Sequence, residues 1–146
     1  MKHEMDFFDL KLSEKIGNMF EYAILHEGFD IYTFTEAWLC SQTFFNIQDW
    51  DVALVSQTAT YIFAKFMEET KKQSIIIEKK ECAEFPECIN WIGYITTYWC
   101  IKERITGADI IRNYNISKII DSAFVYHTVG VCTAIDMMKG DWKKGE

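Results

Sequence analysis

The scarcity of turn-forming residues is the feature that most limits what this chain can fold into. Among its 146 residues there is one proline, Pro86, and there are seven glycines. Sandwiches and barrels need a turn about every 8–12 residues, whereas helices need few breaks. Hydrophobic residues make up 49% of the chain, which is ample material for one core. The sequence therefore predicts an all-α, single compact domain of six to eight helices, with room for one short strand near residues 74–78.

Apolar side chains recur at steps of three and four residues, the spacing of an amphipathic helix. The spacing predicts a helix over 11–27 that Ser13 caps, and a second helix from a Thr33–Glu36 capping box to Phe45. Further helices are predicted from Asp49 or Asp51 to about Lys72, over 87–104, and after Thr106, Ser117 and Thr133.

One segment interrupts the helical pattern and divides the chain. Residues 74–77 are mostly β-branched, and the charged run 78–81 follows them. The segment 73–86 is therefore predicted to join two halves, 1–72 and 87–146. Because each half alone is small for an independent core, we expect both halves to form one domain over 1–146.

The five cysteines do not form the pattern of a disulfide framework or a metal site. Their number is odd, and neither C-x2-C nor H-x3-H occurs. Phosphate-binding and nucleotide-binding glycine motifs are also absent from the sequence. The prediction is therefore free cysteines, no metal site, no cofactor and no catalytic residue.

The ends and the apolar runs of the chain bear on its location. The first six residues are acidic, where a signal peptide would be basic and then apolar. No run approaches the roughly 20 apolar residues that cross a bilayer. These features predict a cytoplasmic protein that has no membrane partner.

Negative charge is concentrated in the first third of the chain. Residues 1–51 contain ten carboxylates and three lysines, so this third accounts for the whole net charge of −7. Such a surface repels nucleic acid and attracts basic protein surfaces. We therefore expect no direct binding of nucleic acid and expect a protein partner with a basic surface.

Aromatic side chains crowd the same acidic stretch, with eleven phenylalanine, tyrosine and tryptophan rings over residues 7–50. Aromatic anchors among charged residues are typical of protein interfaces. The coincidence predicts a non-enzymatic protein-binding module, with a homodimer as an alternative use of the same rings. The predicted partner-binding residues are Glu14, Glu21, Glu27, Trp38, Phe45, Asp49, Trp50 and Asp51.

Two other functions stay open from the sequence. An acidic chain can mimic nucleic acid and inhibit a nuclease, in which case it would compete with DNA or RNA for that enzyme. A small enzyme could use His127 as a general base for Cys100, Cys132 or a carboxylate. Its sign would be a deep pocket with one of those groups within hydrogen-bond reach of His127.

The second half carries a set of short motifs, namely Trp91-Ile92-Gly93-Tyr94, Tyr98-Trp99, Thr106-Gly107, Tyr126-His127-Thr128 and Asp136. Over about residues 87–138 the chain resembles a group of small uncharacterised bacterial helical proteins encoded beside putative toxins. In that group leucine commonly stands at the position of Tyr126. The resemblance implies an antitoxin-like or inhibitor protein that covers a basic surface of its partner, and it implies no catalytic residue.

Overall fold

The computed structural model describes residues 4–80, 83 and 85–144 of the chain. Over these ranges the chain forms nine α-helices and no β-ladder, which confirms the all-α prediction with one helix more than expected. The helices are α1 (Phe7–Glu21), α2 (Ile31–Leu39), α3 (Gln42–Gln48), α4 (Val52–Val55), α5 (Ala59–Lys72), α6 (Ile89–Glu103), α7 (Gly107–Asn113), α8 (Ile116–Tyr126) and α9 (Val131–Asp141). A π-helical turn, Tyr22–His26, follows α1, and a 3₁₀ turn, Pro86–Cys88, precedes α6.

Helices α1 and α6 form the most extensive pairing in the molecule. Two glycines allow their close approach. A Cβ atom at Gly93 would lie 2.8 Å from the ring of Phe20, and one at Gly17 would lie 2.7 Å from the backbone oxygen of Asn90. Because α1 comes from the first half and α6 from the second, the two halves share one core.

The two helices run antiparallel, as their contacts show. Near the end of α1, the Asn90 side-chain amide donates to Asn18 Oδ1 at 2.9 Å and to Glu21 Oε1 at 2.6 Å. Asn90 lies in the first turn of α6, so the end of α1 lies beside the start of α6. The start of α1 is consequently brought beside the end of α6.

A cluster of rings fills the core between α1, α2 and α5. The ring of Phe34 meets those of Phe20 and Phe66 edge to face, with centroids 5.1 and 5.4 Å apart. Trp38 meets Phe66 in the same manner at 5.3 Å and is fully buried. The prediction that Trp38 contacts a partner is therefore wrong, because its ring is a core side chain with no exposed surface.

The helix predicted up to Phe45 is broken into α2 and α3 at Cys40 and Ser41. The Ser41 hydroxyl accepts the Phe44 N–H at 3.0 Å and caps the new helix. The Glu69 carboxylate, from α5, accepts the N–H groups of Gln42 and Thr43 at 2.8 Å each. A carboxylate satisfies the otherwise unpaired donors of a helix start and suits the positive end of its dipole.

Helix α1 starts earlier than the sequence predicted. Asp6, and not Ser13, is its N-cap. Ser13 is buried within the helix, and its hydroxyl donates to the Asp9 carbonyl oxygen at 3.0 Å. The early start places Phe7 and Phe8 in the first turn, where both rings are exposed.

The connecting segment contains one antiparallel bridge in place of the short strand allowed for by the sequence. Phe29 pairs with Lys79, one residue beyond the predicted 74–78. The Asp30 N–H donates to the Glu78 carbonyl at 2.8 Å, and the Lys80 N–H donates to the Gly28 carbonyl at 2.8 Å. These bonds tie the segment to the turn before α2. Cys82 and the charged residue Glu81 lie outside the described residues.

Among the described helices, none combines the length and the apolar character that crossing a bilayer would require.

The glycine contacts generate a stability prediction. In Gly93→Ala the new methyl group would press on Phe20 and on the Ile16 carbonyl, 2.9 Å away. Overpacking costs about 1–3 kcal/mol, and the better helix propensity of alanine offsets about 1 kcal/mol of it. We expect Gly93→Ala to lower the free energy of unfolding, measured by urea denaturation.

The control is Gly140→Ala in α9, where a Cβ atom meets nothing within 4 Å. This variant should gain about 0.5–1 kcal/mol from helix propensity alone. Equal effects of the two substitutions would contradict the close packing of α1 on α6.

Candidate docking groove

A groove of about 660 Å³ opens between the start of α1, the end of α3 and the end of α6. Three of the side chains that line it are exposed rings, namely Phe8, Phe45 and Trp50, with exposed fractions of 66%, 47% and 44%. We call this feature the aromatic groove. Large apolar side chains that are both exposed and convergent are typical of interaction sites.

A capping box holds the first wall of the aromatic groove. The Asp6 carboxylate accepts the Asp9 N–H at 2.9 Å, and the Asp9 carboxylate accepts the Asp6 N–H at 3.1 Å. The reciprocal bonds fix the first turn of α1. Phe8 lies between these residues, so its ring projects from a rigid turn.

The second wall ends in a Schellman motif at the end of α3. The Trp50 N–H donates to the Ile47 carbonyl at 3.0 Å, and the Asp51 N–H donates to the Asn46 carbonyl at 2.9 Å. Trp50 occupies the left-handed position of this motif, with φ of 59°. Glycine is the usual residue there, because a Cβ atom costs about 1–2 kcal/mol in that conformation.

The third wall, at the end of α6, repeats the same arrangement. The Ile105 N–H donates to the Cys100 carbonyl at 3.1 Å, and Arg104 has a left-handed φ of 54°. Two of the four non-glycine residues with positive φ in the described chain, Trp50 and Arg104, therefore line one groove. Strained residues of this kind concentrate at functional sites.

One side chain fixes the second wall to the third. The Gln48 amide donates to the Ile105 carbonyl at 2.7 Å, and its oxygen accepts the Gly107 N–H at 3.3 Å. Gly107 in turn lies against the backbone of Leu39, whose carbonyl oxygen would be 2.1 Å from a Cβ atom there. The ends of α2, α3 and α6 therefore form one rigid frame around the groove.

Negative charge prevails in the aromatic groove. Its lining includes the carboxylates of Asp6, Asp9 and Asp49 and one guanidinium, that of Arg104. Arg104 and Asp9 each have a partner within the chain. Asp49 is exposed and follows the last residue of α3, where the helix dipole adds a partial negative charge.

The structure brings three of the eight predicted partner-binding residues together in the groove, namely Phe45, Asp49 and Trp50. Asp51 lies next to them in the chain. Its carboxylate accepts the Ala53 N–H at 2.9 Å and caps α4, so it serves the local structure.

The other predicted carboxylates lie outside the groove lining. Glu14 is exposed and pairs with Lys11 at 3.4 Å. Glu21 accepts the Asn90 amide between α1 and α6, and Glu27 pairs with the neighbouring His26 at 3.0 Å. These three predicted carboxylates therefore have local partners within the chain and do not line the groove.

Sequence reasoning also missed part of the site. Phe8 belongs to the aromatic-rich stretch of the sequence. Because the sequence predicts that α1 starts at Lys11, it gives no location for the Phe8 ring. The contribution of α6 through Arg104 arises only from the antiparallel packing on α1, for which periodicity gives no signal. The glycine positions Gly17 and Gly93 are the one sequence feature consistent with that packing.

The Nδ1 atom of His127 has partners other than the two cysteines that the sequence suggested. This atom lies 3.0 Å from the Ala123 carbonyl oxygen and 3.7 Å from Cys88 Sγ. A ring nitrogen this close to a carbonyl donates to it and does not accept a thiol proton. Burial, and then the charge of Glu87, raise the pKa of the Cys88 thiol, which disfavours a reactive thiolate.

The two cysteines predicted as nucleophiles have other surroundings. Cys100 is fully buried, and burial raises its thiol pKa well above the usual range. Cys132 Sγ lies 3.5 Å from the Tyr98 hydroxyl, where burial and this hydrogen bond raise the pKa of Tyr98 to about 12. In the described part of the chain, no group of three His, Cys, Asp or Glu side chains could hold a metal ion.

Comparison of the chain with protein-family models, with curated proteins and with solved structures gives no match. The resemblance of the second half to small antitoxin-like proteins therefore stays a prediction.

The left-handed position of Trp50 can be tested by a pair of substitutions. Trp50→Gly and Trp50→Ala both remove the ring, but only alanine retains the cost of a Cβ atom at positive φ. We expect Trp50→Gly to be more stable than Trp50→Ala by about 1 kcal/mol in urea denaturation.

At an ordinary helical position the alanine variant should instead be more stable than the glycine variant. Ala64 is exposed within α5, so Ala64→Gly should cost about 1 kcal/mol. If Trp50→Ala proved as stable as Trp50→Gly, the strained conformation assigned to Trp50 would be ruled out.

Proposed function

We propose that this chain is a non-enzymatic protein-binding module that captures its partner in the aromatic groove. The observation that carries the proposal is the convergence of Phe8, Phe45 and Trp50 on one concave surface. Three aromatic side chains with 44–66% of their surface exposed represent apolar area that a partner can cover.

The composition of the groove supports a protein as the occupant. Tryptophan and other aromatic side chains at the centre of an interface often supply most of its binding energy, and charged groups at the rim supply specificity. Here rings from α1 and α3 lie beside the carboxylates of Asp6 and Asp49. The rigid frame around Gln48 favours binding, because little conformational freedom remains to be lost on association.

The partner in this proposal has a basic surface, since the chain carries a net charge of −7. An antitoxin-like role, in which the chain covers and neutralises a basic toxin in the cytoplasm, agrees with that charge and with the resemblance of residues 87–138. Both points concern the identity of the partner, and the docking groove does not depend on them.

The test is partner capture by matched ring substitutions in the full chain. Phe45→Ala should weaken binding of the captured partner at least tenfold, because an anchor ring in an interface contributes about 2 kcal/mol or more. The control is Phe124→Ala in α8, whose ring has the same exposed fraction of 47% but lies outside the groove.

Binding is measured by calorimetry with the partner that the unmodified chain captures. Thermal unfolding of each variant checks that the fold is retained. If Phe45→Ala bound as tightly as the unmodified chain, or if Phe124→Ala lost as much affinity, the aromatic groove would not be the docking site.

A further inference from the structure

We propose that the aromatic groove recognises an arginine or lysine side chain on an apolar segment of the partner, with the cation among Phe45, Trp50 and Asp49. This inference rests on the proposed function. In this proposal the partner is recognised through one positively charged side chain bound in the groove, and not through attraction between two large charged surfaces.

The helix ends around the groove favour a cation. Helices α3 and α6 both end at its walls, and the C-terminal end of a helix carries a partial negative charge of about half an elementary charge. The positive end of α1 also reaches the groove, but Asp6 and Asp9 cap it. The start of α7 at Thr106 also lines the groove and is capped by Asp109. The lining then holds three carboxylates, Asp6, Asp9 and Asp49, against one guanidinium, Arg104, so negative charge prevails.

The rings give the cation a second means of binding. An ammonium or guanidinium within about 6 Å of an aromatic face is attracted by the ring. The fold uses this contact itself, since Lys79 Nζ lies 4.1 Å from the ring centroid of Phe29. None of the described lysines lies over Phe45 or Trp50 in this manner. Arg104, the guanidinium in the groove lining, has a partner within the chain.

Asp49 is the carboxylate best placed to accept such a cation. It is exposed, lines the groove between Phe45 and Trp50 in the chain, and is not required as a helix N-cap. Asp6 by contrast caps α1, and Asp51 caps α4. Glu14, Glu21 and Glu27 lie outside the groove lining, so they are not placed to bind a cation in the groove.

The experiment titrates the full chain with two synthetic peptides, followed by amide and indole resonances in nuclear magnetic resonance. One peptide alternates leucine with arginine and has blocked ends. The other contains citrulline, which has the shape of arginine without its charge, in place of each arginine. We expect the arginine peptide to shift the signals of Phe45 and the Trp50 indole, and the citrulline peptide to bind at least tenfold more weakly.

Two matched variants test the carboxylate. Asp49→Asn should weaken the arginine peptide about three- to tenfold and reduce the dependence of binding on salt, since a screened charge pair is lost. Asp136→Asn changes an exposed carboxylate in α9, away from the groove lining, and should leave binding unchanged.

The outcomes separate this inference from the proposed function. Equal binding of both peptides in the groove would overturn cation recognition and leave an apolar docking site. Shifts in the groove that depend on protein concentration without peptide would identify a second copy as the occupant and would also overturn it. The proposed function itself depends on the Phe45→Ala measurement with the captured partner, which the peptide titration does not replace.

Discussion

The close antiparallel approach of α1 to α6 is the constraint on which the rest of the structure depends. Gly17 and Gly93 remove the side chains that would hold the two helices apart. The pairing unites the two halves of the chain in one core and brings the start of α1 to the end of α6. Without that register, Phe8 and Arg104 would not line the same groove.

The groove follows from this pairing together with the position of α3. The ring of Phe44 packs 5.2 Å from that of the buried Trp38, which seats α3 on the core, and Gln48 fixes its end to the turn after α6. Both helices then end in left-handed residues, Trp50 and Arg104, where glycine would be less strained. Non-glycine residues keep a left-handed conformation only where the surrounding structure holds them in it. Two such residues in one groove therefore indicate that its shape is fixed before a partner binds.

Local signals predicted much of the fold. The helix expected over 87–104 is observed as α6, and Thr106 caps α7 as expected, because a proline, a capping residue and a regular apolar face act within one segment. The break at Cys40 was missed, since it depends on Glu69 from a distant helix. For Trp38 and Trp50 local composition was no guide, because only packing decides which of two tryptophans in the same acidic stretch is buried.

The central claim is that a partner covers the aromatic groove. Hydrogen–deuterium exchange of the full chain, with and without its captured partner, tests it most directly. The account predicts slower exchange on binding at 6–12, 45–50 and 101–106, the three walls of the groove. Protection confined to α8 and α9, with these three segments unchanged, would contradict it.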